Sequence, residues 1–131
     1  MEDNCIFCKV ASGEIPHDRV YENENFVAFL DINPVVDGHL LVIPKEHVVW
    51  MQDASDEMIS EIFKVVKKMM QALKKTFNAD YVMTSVVGKD VPHFHVHLIP
   101  RFFNDKFSGW PTKKYREGES EKLVAKITAV L

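Results

Sequence analysis

The chain has 131 residues, which suits one domain with one sizeable core, and its 47% apolar and 27% charged content is ordinary for a globular protein in water. A net charge of −3 with histidine neutral argues against a binder of nucleic-acid backbone, which carries a basic face. The polar start Met1-Glu2-Asp3-Asn4 is unlike a signal peptide, and no apolar run approaches the ~20 residues of a membrane helix, so the expectation is a cytoplasmic protein with neither membrane nor nucleic acid among its partners.

Both cysteines lie in one Cys5-x-x-Cys8 pair near the start. A reducing cytosol makes a structural disulfide a poor reading. A thioredoxin-like redox pair wants a strand before it, and there is no room for one, which favours a metal knuckle. Gly13 ends this short helical turn. His17 reads as exposed loop. Residues 19–22 and 26–31 read as a hairpin around Asn23-Glu24-Asn25, and Asp31-Ile32-Asn33-Pro34 is a turn signal. Residues 38–44, from Gly38-His39 to Pro44, form a third strand, followed by Lys45-Glu46-His47.

A long helix follows. Ser55 is its N-cap, and Asp56 and Glu57 suit the positive first turn. Ile59, Ile62, Phe63, Val66, Met69, Met70, Leu73 and Phe77 recur at three- and four-residue spacing on one stripe. Met58 and Val65, with Met70 at its edge, widen the stripe, which points to a second copy of the chain covering it or to the C-terminal segment with Phe102, Phe103, Phe107 and Trp110 doing so. Lys74 and Lys75 sit in the last turn, and Asn78 suits the left-handed position after it. Residues 80–87 are a fourth strand candidate. Gly88-Lys89-Asp90 then offers N–H groups and a cation to an anion.

His93-Phe94-His95-Val96-His97-Leu98-Ile99, bracketed by Pro92 and Pro100, carries the chemistry. Period two puts Phe94, Val96 and Leu98 on one face and the three histidines on the other. Residues 101–118 are irregular, and a last helix starts near Glu119 with Leu123, Val124, Ile127 and Leu131 on one side. Strands around one long helix make an α+β domain with an antiparallel sheet.

Zinc takes four ligands from cysteine sulfur and histidine nitrogen. Cys5 and Cys8 supply two; His47 and one of His93, His95 and His97 are candidates for the rest. Three zinc-bound histidines at 93, 95 and 97 are the rival, which leaves both cysteines unused. Imidazole titrates near neutral pH and serves as nucleophile, acid or base. The chain has no serine or cysteine nucleophile elbow, no Walker-type loop and no dinucleotide glycine fingerprint. The bare residues therefore point to a phosphate or other oxyanion handled by histidine.

The 93–99 run resembles the signature of the histidine triad (HIT) family. Cys5-Ile6-Phe7-Cys8-Lys9, Gly13-Glu14-Ile15-Pro16, Phe29-Leu30-Asp31-Ile32-Asn33-Pro34, Gly38 to Lys45 and Pro100-Arg101 are similar to further blocks of that family, in its order. The resemblance covers about residues 4–101, leaves 102–131 as a C-terminal extension of a single domain, and is nearest the single-domain bacterial nucleoside phosphoramidases. It implies a two-layer α+β protomer with a five-stranded antiparallel sheet, and a homodimer. It implies His95 as the nucleophile on the α-phosphorus of a nucleoside 5′-phosphoryl compound such as adenosine 5′-phosphoramidate. Water then releases the monophosphate from a nucleotidyl-histidine. It implies His97 on the phosphate oxygens, the backbone or His39 orienting His95, Asp31 on the ribose hydroxyls, and Ile6, Phe7, Phe29 and Ile32 around a purine base. It also implies one structural zinc per chain on Cys5, Cys8, His47 and His93, with no catalytic metal. Lys89 and Asp90 stand where many relatives have Gln-Ser or Gln-Glu; an ionised Asp90 cannot donate a proton to a leaving group. Dinucleoside polyphosphate hydrolysis and nucleotide binding with little turnover are the alternative functions.

Overall fold

The structure, a computed structural model, describes residues 4–106 and 109–131. Its elements are α1 (Ile6–Ser12), β1 (Arg19–Glu22), β2 (Phe26–Leu30), β3 (Leu40–Pro44), a 3-10 turn (Met51–Asp53), α2 (Asp56–Phe77), β4 (Tyr81–Ser85), β5 (Val96–Arg101) and α3 (Glu119–Thr128). The five strands form one sheet in the order β1-β2-β3-β5-β4, every neighbouring pair antiparallel.

Strand periodicity builds two faces. Phe26, Ala28 and Leu30 of β2, Leu40 and Val42 of β3, and Val96 and Leu98 of β5 meet Ile62, Val66, Met69 and Leu73 of α2. The alternate residues Val27, Phe29, Leu41 and Ile43 pack on the other side with Cys5, Phe7, Cys8 and Val10 of the N-terminal knuckle. Phe94 belongs to the α2 side, so the apolar half of the histidine run is anchored in the main core. Each such fully buried side chain contributes roughly 1.5–3 kcal/mol relative to exposure. The second face is where the histidines emerge.

Local signals set the helix ends. The Ser55 Oγ accepts the Met58 N–H at 3.1 Å, and Asn78 closes α2 with φ 51°. Cys5 caps α1 through its sulfur, which accepts the Cys8 N–H, and Gly13 ends it with φ 83°. Gly38 has φ 90°, and a Cβ there would run into the Phe77 ring, so glycine is required where the chain turns into β3 beside the end of α2.

The strands are shorter at their ends than the residue pattern predicts. β2 stops at Leu30, β3 starts at Leu40, and β4 covers Tyr81–Ser85. The main correction concerns the histidine run, predicted as a strand over 93–99: β5 begins at Val96 and continues through Pro100 to Arg101. His93 and His95 stand in the lead-in, where the Phe94 N–H goes to the Val48 carbonyl at 2.6 Å instead of to a strand. Pro100 is tolerated because Arg101 turns its carbonyl to Asp80 beside β4. Pro100 therefore faces the β3 side, where pairing ends at Leu98.

The wide stripe of α2 is partly covered within the chain. Leu123 and Ile127 of α3 join the same core, with Val65 buried and Met58 and Met70 half-buried. Phe103 and Trp110 do not do this. Phe103 is 82% exposed and stacks on Tyr81, Trp110 lies elsewhere, and Phe107 falls outside the described residues.

Candidate functional site

Two clusters of ring nitrogens and sulfurs occupy the second face. In the first, the Cys5 sulfur lies 3.3 Å from His93 Nδ1, and the Cys8 sulfur lies 3.2 Å from His47 Nδ1 and 3.5 Å from His93 Nδ1. The four ligand atoms all fall within 4.8 Å of one another. A tetrahedral zinc with ordinary Zn–S and Zn–N bonds wants S···N separations of about 3.6 Å, so the cluster fits with shifts of a few tenths. His93 is fully buried, and its Nε2 donates to the Pro44 carbonyl at 2.8 Å, which leaves Nδ1 as a lone pair aimed at the sulfurs. Burial holds His93 neutral, with its pKa pushed down to about 4. The donor set Cys2His2 is complete, so a metal there has no open position for substrate.

The rival with three histidines on one metal is not built. His95 turns its Nδ1 to the His93 carbonyl at 2.7 Å, and His97 turns its Nδ1 to His39 Nε2 at 2.9 Å. Their ring centres are 5.0 Å apart, and each ring points its two nitrogens differently from His93.

These hydrogen bonds assign the protons. The His93 carbonyl can only accept, so His95 carries its proton on Nδ1 and Nε2 is a lone pair. The Val35 N–H can only donate, and it points at His39 Nδ1 from 3.0 Å. His39 therefore carries its proton on Nε2 and donates it to His97 Nδ1. His97 in turn carries its own on Nε2. One ring thus presents a nitrogen lone pair and its neighbour presents a donor. Burial first, and the facing His97 second, push the His39 pKa down to about 3. Burial and the neighbouring His95 push that of His97 down to about 4, with the Asp90 charge opposing. Both are neutral at pH 7.

Asp31, His39 and His97 also bring three potential ligand atoms together. They are already spoken for: the nitrogen His39 turns toward the group carries the proton it donates to His97. Asp31 Oδ2 is 3.6 Å from His39 Nε2, and since His39 is neutral this is a dipolar contact, not an ion pair. Asp31 Oδ1 accepts the Asn33 N–H at 2.9 Å, the turn role its sequence context predicts. Burial raises the Asp31 pKa above the usual carboxylate value.

The remaining expected residues divide. Phe7 packs edge-on to His95, ring centres 5.1 Å apart, and to Phe29 at 5.6 Å. Ile6 and Ile32 are exposed apolar side chains, whereas Phe29 is fully buried with its ring against Phe7. His39, offered as one of two groups orienting His95, instead contacts His97; the His93 backbone carbonyl is the group on His95. Lys89 and Asp90 lie exposed in the 86–95 connection.

Two residues escape the sequence pattern. His17, read as exposed loop, is half-buried with its ring 4.4 Å from that of Phe29, and burial lowers its pKa. Trp110 packs at 79° to His97, ring centres 5.1 Å apart, and at 73° to His39, 6.0 Å apart. The Trp110 contacts join segments far apart in the chain, so no local signal marks them, whereas His17 meets Phe29 across the β1–β2 hairpin.

A family model described as the HIT domain matches residues 12–104. The fold overlays a crystal structure of a HIT-like protein from Bartonella henselae with TM-score 0.91 and 35% identity, covering 100% of this chain and 98% of that one. A zinc-bound histidine triad family protein from Mycobacterium smegmatis gives TM-score 0.85 and 32% identity over 96% and 91% of the two chains. The adenosine 5′-monophosphoramidase of Saccharomyces cerevisiae is 35% identical over 97% of this chain and 82% of its own.

Proposed function

The chain belongs to the HIT family, and we propose that it is a nucleotide hydrolase that cleaves nucleoside 5′-phosphoramidates at the α-phosphorus through a nucleotidyl-histidine. The observation that carries this reading is the pair His95 and His97: a free Nε2 lone pair beside a ring whose Nε2 holds a proton. The named activity of the yeast relative supports the substrate class.

In the proposed reaction His95 Nε2 forms a bond to the α-phosphorus while the P–N bond to the amine breaks. The departing amine takes up one proton from solvent. Positive charge on the phosphorylated ring is stabilised at Nδ1–H by the His93 carbonyl. The His97 Nε2–H donates to a phosphoryl oxygen, where negative charge grows, so it acts without transferring its proton. Water then attacks phosphorus, the N–P bond breaks, and the water gives up a proton as the monophosphate leaves. Asp31 holds the ribose hydroxyls, and Ile6, Phe7 and Ile32 flank a purine base, with Phe29 behind them. Lys89 and Asp90 border the phosphate side.

Cys5, Cys8, His47 and His93 would hold one zinc per chain. When bound it is a structural crosslink between the N-terminal knuckle, the end of β3 and the histidine run. A homodimer is part of the same reading. β4 is an edge strand, and exposed Tyr81, Val86, Val87 and Phe103 accompany it, an apolar edge that a second copy can cover.

Incubation with adenosine 5′-phosphoramidate and, separately, with diadenosine polyphosphates, following AMP, tests the activity. AMP from the phosphoramidate is the expected result. Release from the polyphosphates alone would make it a dinucleoside polyphosphate hydrolase, and release from neither would leave a nucleotide-binding module.

A further inference from the structure

Residues 110–116, between β5 and α3, form a strap without regular secondary structure that is hydrogen-bonded to the 34–38 loop. We propose that this strap is a positioning element of the active site: Trp110, Lys113 and Tyr115 hold the His39–His97 pair in the one tautomer that leaves His97 a donor. The inference rests on the donor role proposed for His97.

The tautomer depends on a loop. If His39 carried its proton on Nδ1, that proton would face the Val35 N–H, donor against donor. The placement of Val35 opposes this state at Nδ1, and the Asp31 carboxylate 3.6 Å from Nε2 opposes it at the other nitrogen. The polar groups around Val35 are tied to the strap. The Pro34 carbonyl accepts the Lys113 N–H at 2.9 Å, the Gly38 N–H goes to the Tyr115 hydroxyl at 3.2 Å, and Asp37 pairs with the Lys113 ammonium. The phenol is fit for this task, since burial pushes its pKa up to about 12 and it stays neutral.

Trp110 acts on the rings themselves. Its indole stands nearly perpendicular to both imidazoles, the edge-to-face arrangement that aromatic quadrupoles favour. A flip of the His97 ring would carry Nδ1 away from His39 and put a carbon in its place. The indole resists that flip by packing. The rings run Phe7, His95, His97, Trp110, each neighbouring pair of centres 5.0–5.1 Å apart, so the strap closes the row at the end opposite the knuckle.

The test uses the zinc-loaded full chain with Trp110→Ala, Tyr115→Phe and Trp110→Phe. Histidine 15N spectra at neutral pH report which ring nitrogen of His97 and His39 is protonated, and kcat and KM are taken on adenosine 5′-phosphoramidate. Unsubstituted protein should show His97 Nδ1 unprotonated and a single tautomer. Trp110→Ala and Tyr115→Phe should each give a mixture of tautomers and a kcat lowered about tenfold, with KM changed less than about threefold, because misplaced donors cost the chemical step more than binding. Trp110→Phe should recover most of the rate. A single unchanged tautomer in both Trp110→Ala and Tyr115→Phe overturns the inference whatever the rates do, and so does a mixture with unchanged kcat. Should Trp110→Ala not fold, Tyr115→Phe decides alone. If unsubstituted protein turns over no nucleotide, the proposed function fails, while the spectra still decide whether the strap sets the tautomer.

Discussion

His39 Nε2 lies 2.9 Å from His97 Nδ1, and a single proton, on His39, sits between two buried neutral imidazoles. The Val35 N–H on the far nitrogen of His39 gives that bond its direction. The sequence places these residues 58 positions apart. Their order in space makes His97 a donor and leaves His95 beside it as the group with a free lone pair.

His95→Ala should abolish turnover of adenosine 5′-phosphoramidate, a loss of at least about 10³-fold, while nucleotide still binds. In the proposed reaction the ring supplies the attacking nitrogen and the surrounding apolar residues supply affinity. Steady-state kinetics with calorimetric titration of AMP checks both halves. Near wild-type turnover in this variant removes His95 as nucleophile.

His97→Ala should lower kcat by roughly 10²-fold, the scale for losing one donor to a developing oxyanion. His39→Ala should lower it less, since His97 keeps its ring but loses the partner that fixes its tautomer. A larger loss from His39→Ala than from His97→Ala would contradict the order of action.

Native mass spectrometry should find about one zinc per chain, the count of one complete four-ligand set. Chelation or Cys5→Ser should lower the melting temperature and weaken kcat far less. Metal-free protein with full thermal stability would mean that the buried cysteines and His93 do not depend on zinc.

Stability should fall as pH is lowered from about 6.5 toward 4. His39 and His97 are neutral in the folded chain down to about pH 3 and 4, whereas in the unfolded chain they take up protons near 6.5. Between those limits the unfolded state binds more protons, so acid favours unfolding, with a slope of up to about 1.4 kcal/mol per pH unit for each ring. Urea melts of the zinc-loaded chain and of His39→Gln across this range measure the slope. An equally steep slope in His39→Gln would place the linkage elsewhere.

Light scattering at micromolar concentration should give about twice the 15.1 kDa chain mass. Charge placed on the β4 edge, as in Tyr81→Lys, should shift the mass toward the monomer. A mass near that of one chain, unchanged on dilution, removes the dimer.

The fold was legible because its signals are local. Alternation put Phe26, Ala28 and Leu30 on one side of β2 and Val27 and Phe29 on the other, and the 3.6-residue period put Ile62, Val66, Met69 and Leu73 on one face of α2. Ser55 and Asn78 bound that helix through contacts a few residues long. The histidine run and the Cys-x-x-Cys pair were equally plain, because spacing alone brings Phe94, Val96 and Leu98 to one side and two sulfurs to one helix turn. Tertiary structure decided what His93 and His97 do, whereas His95 is set locally by the carbonyl two residues before it. An imidazole has two nitrogens and one proton, and a partner distant in the chain chooses between them: the Pro44 carbonyl for His93, and the Val35 N–H, through His39, for His97. For the same reason no periodicity could place Trp110 on the His39–His97 pair: a contact between distant segments depends on how loops are tied down, and residue spacing carries no record of that.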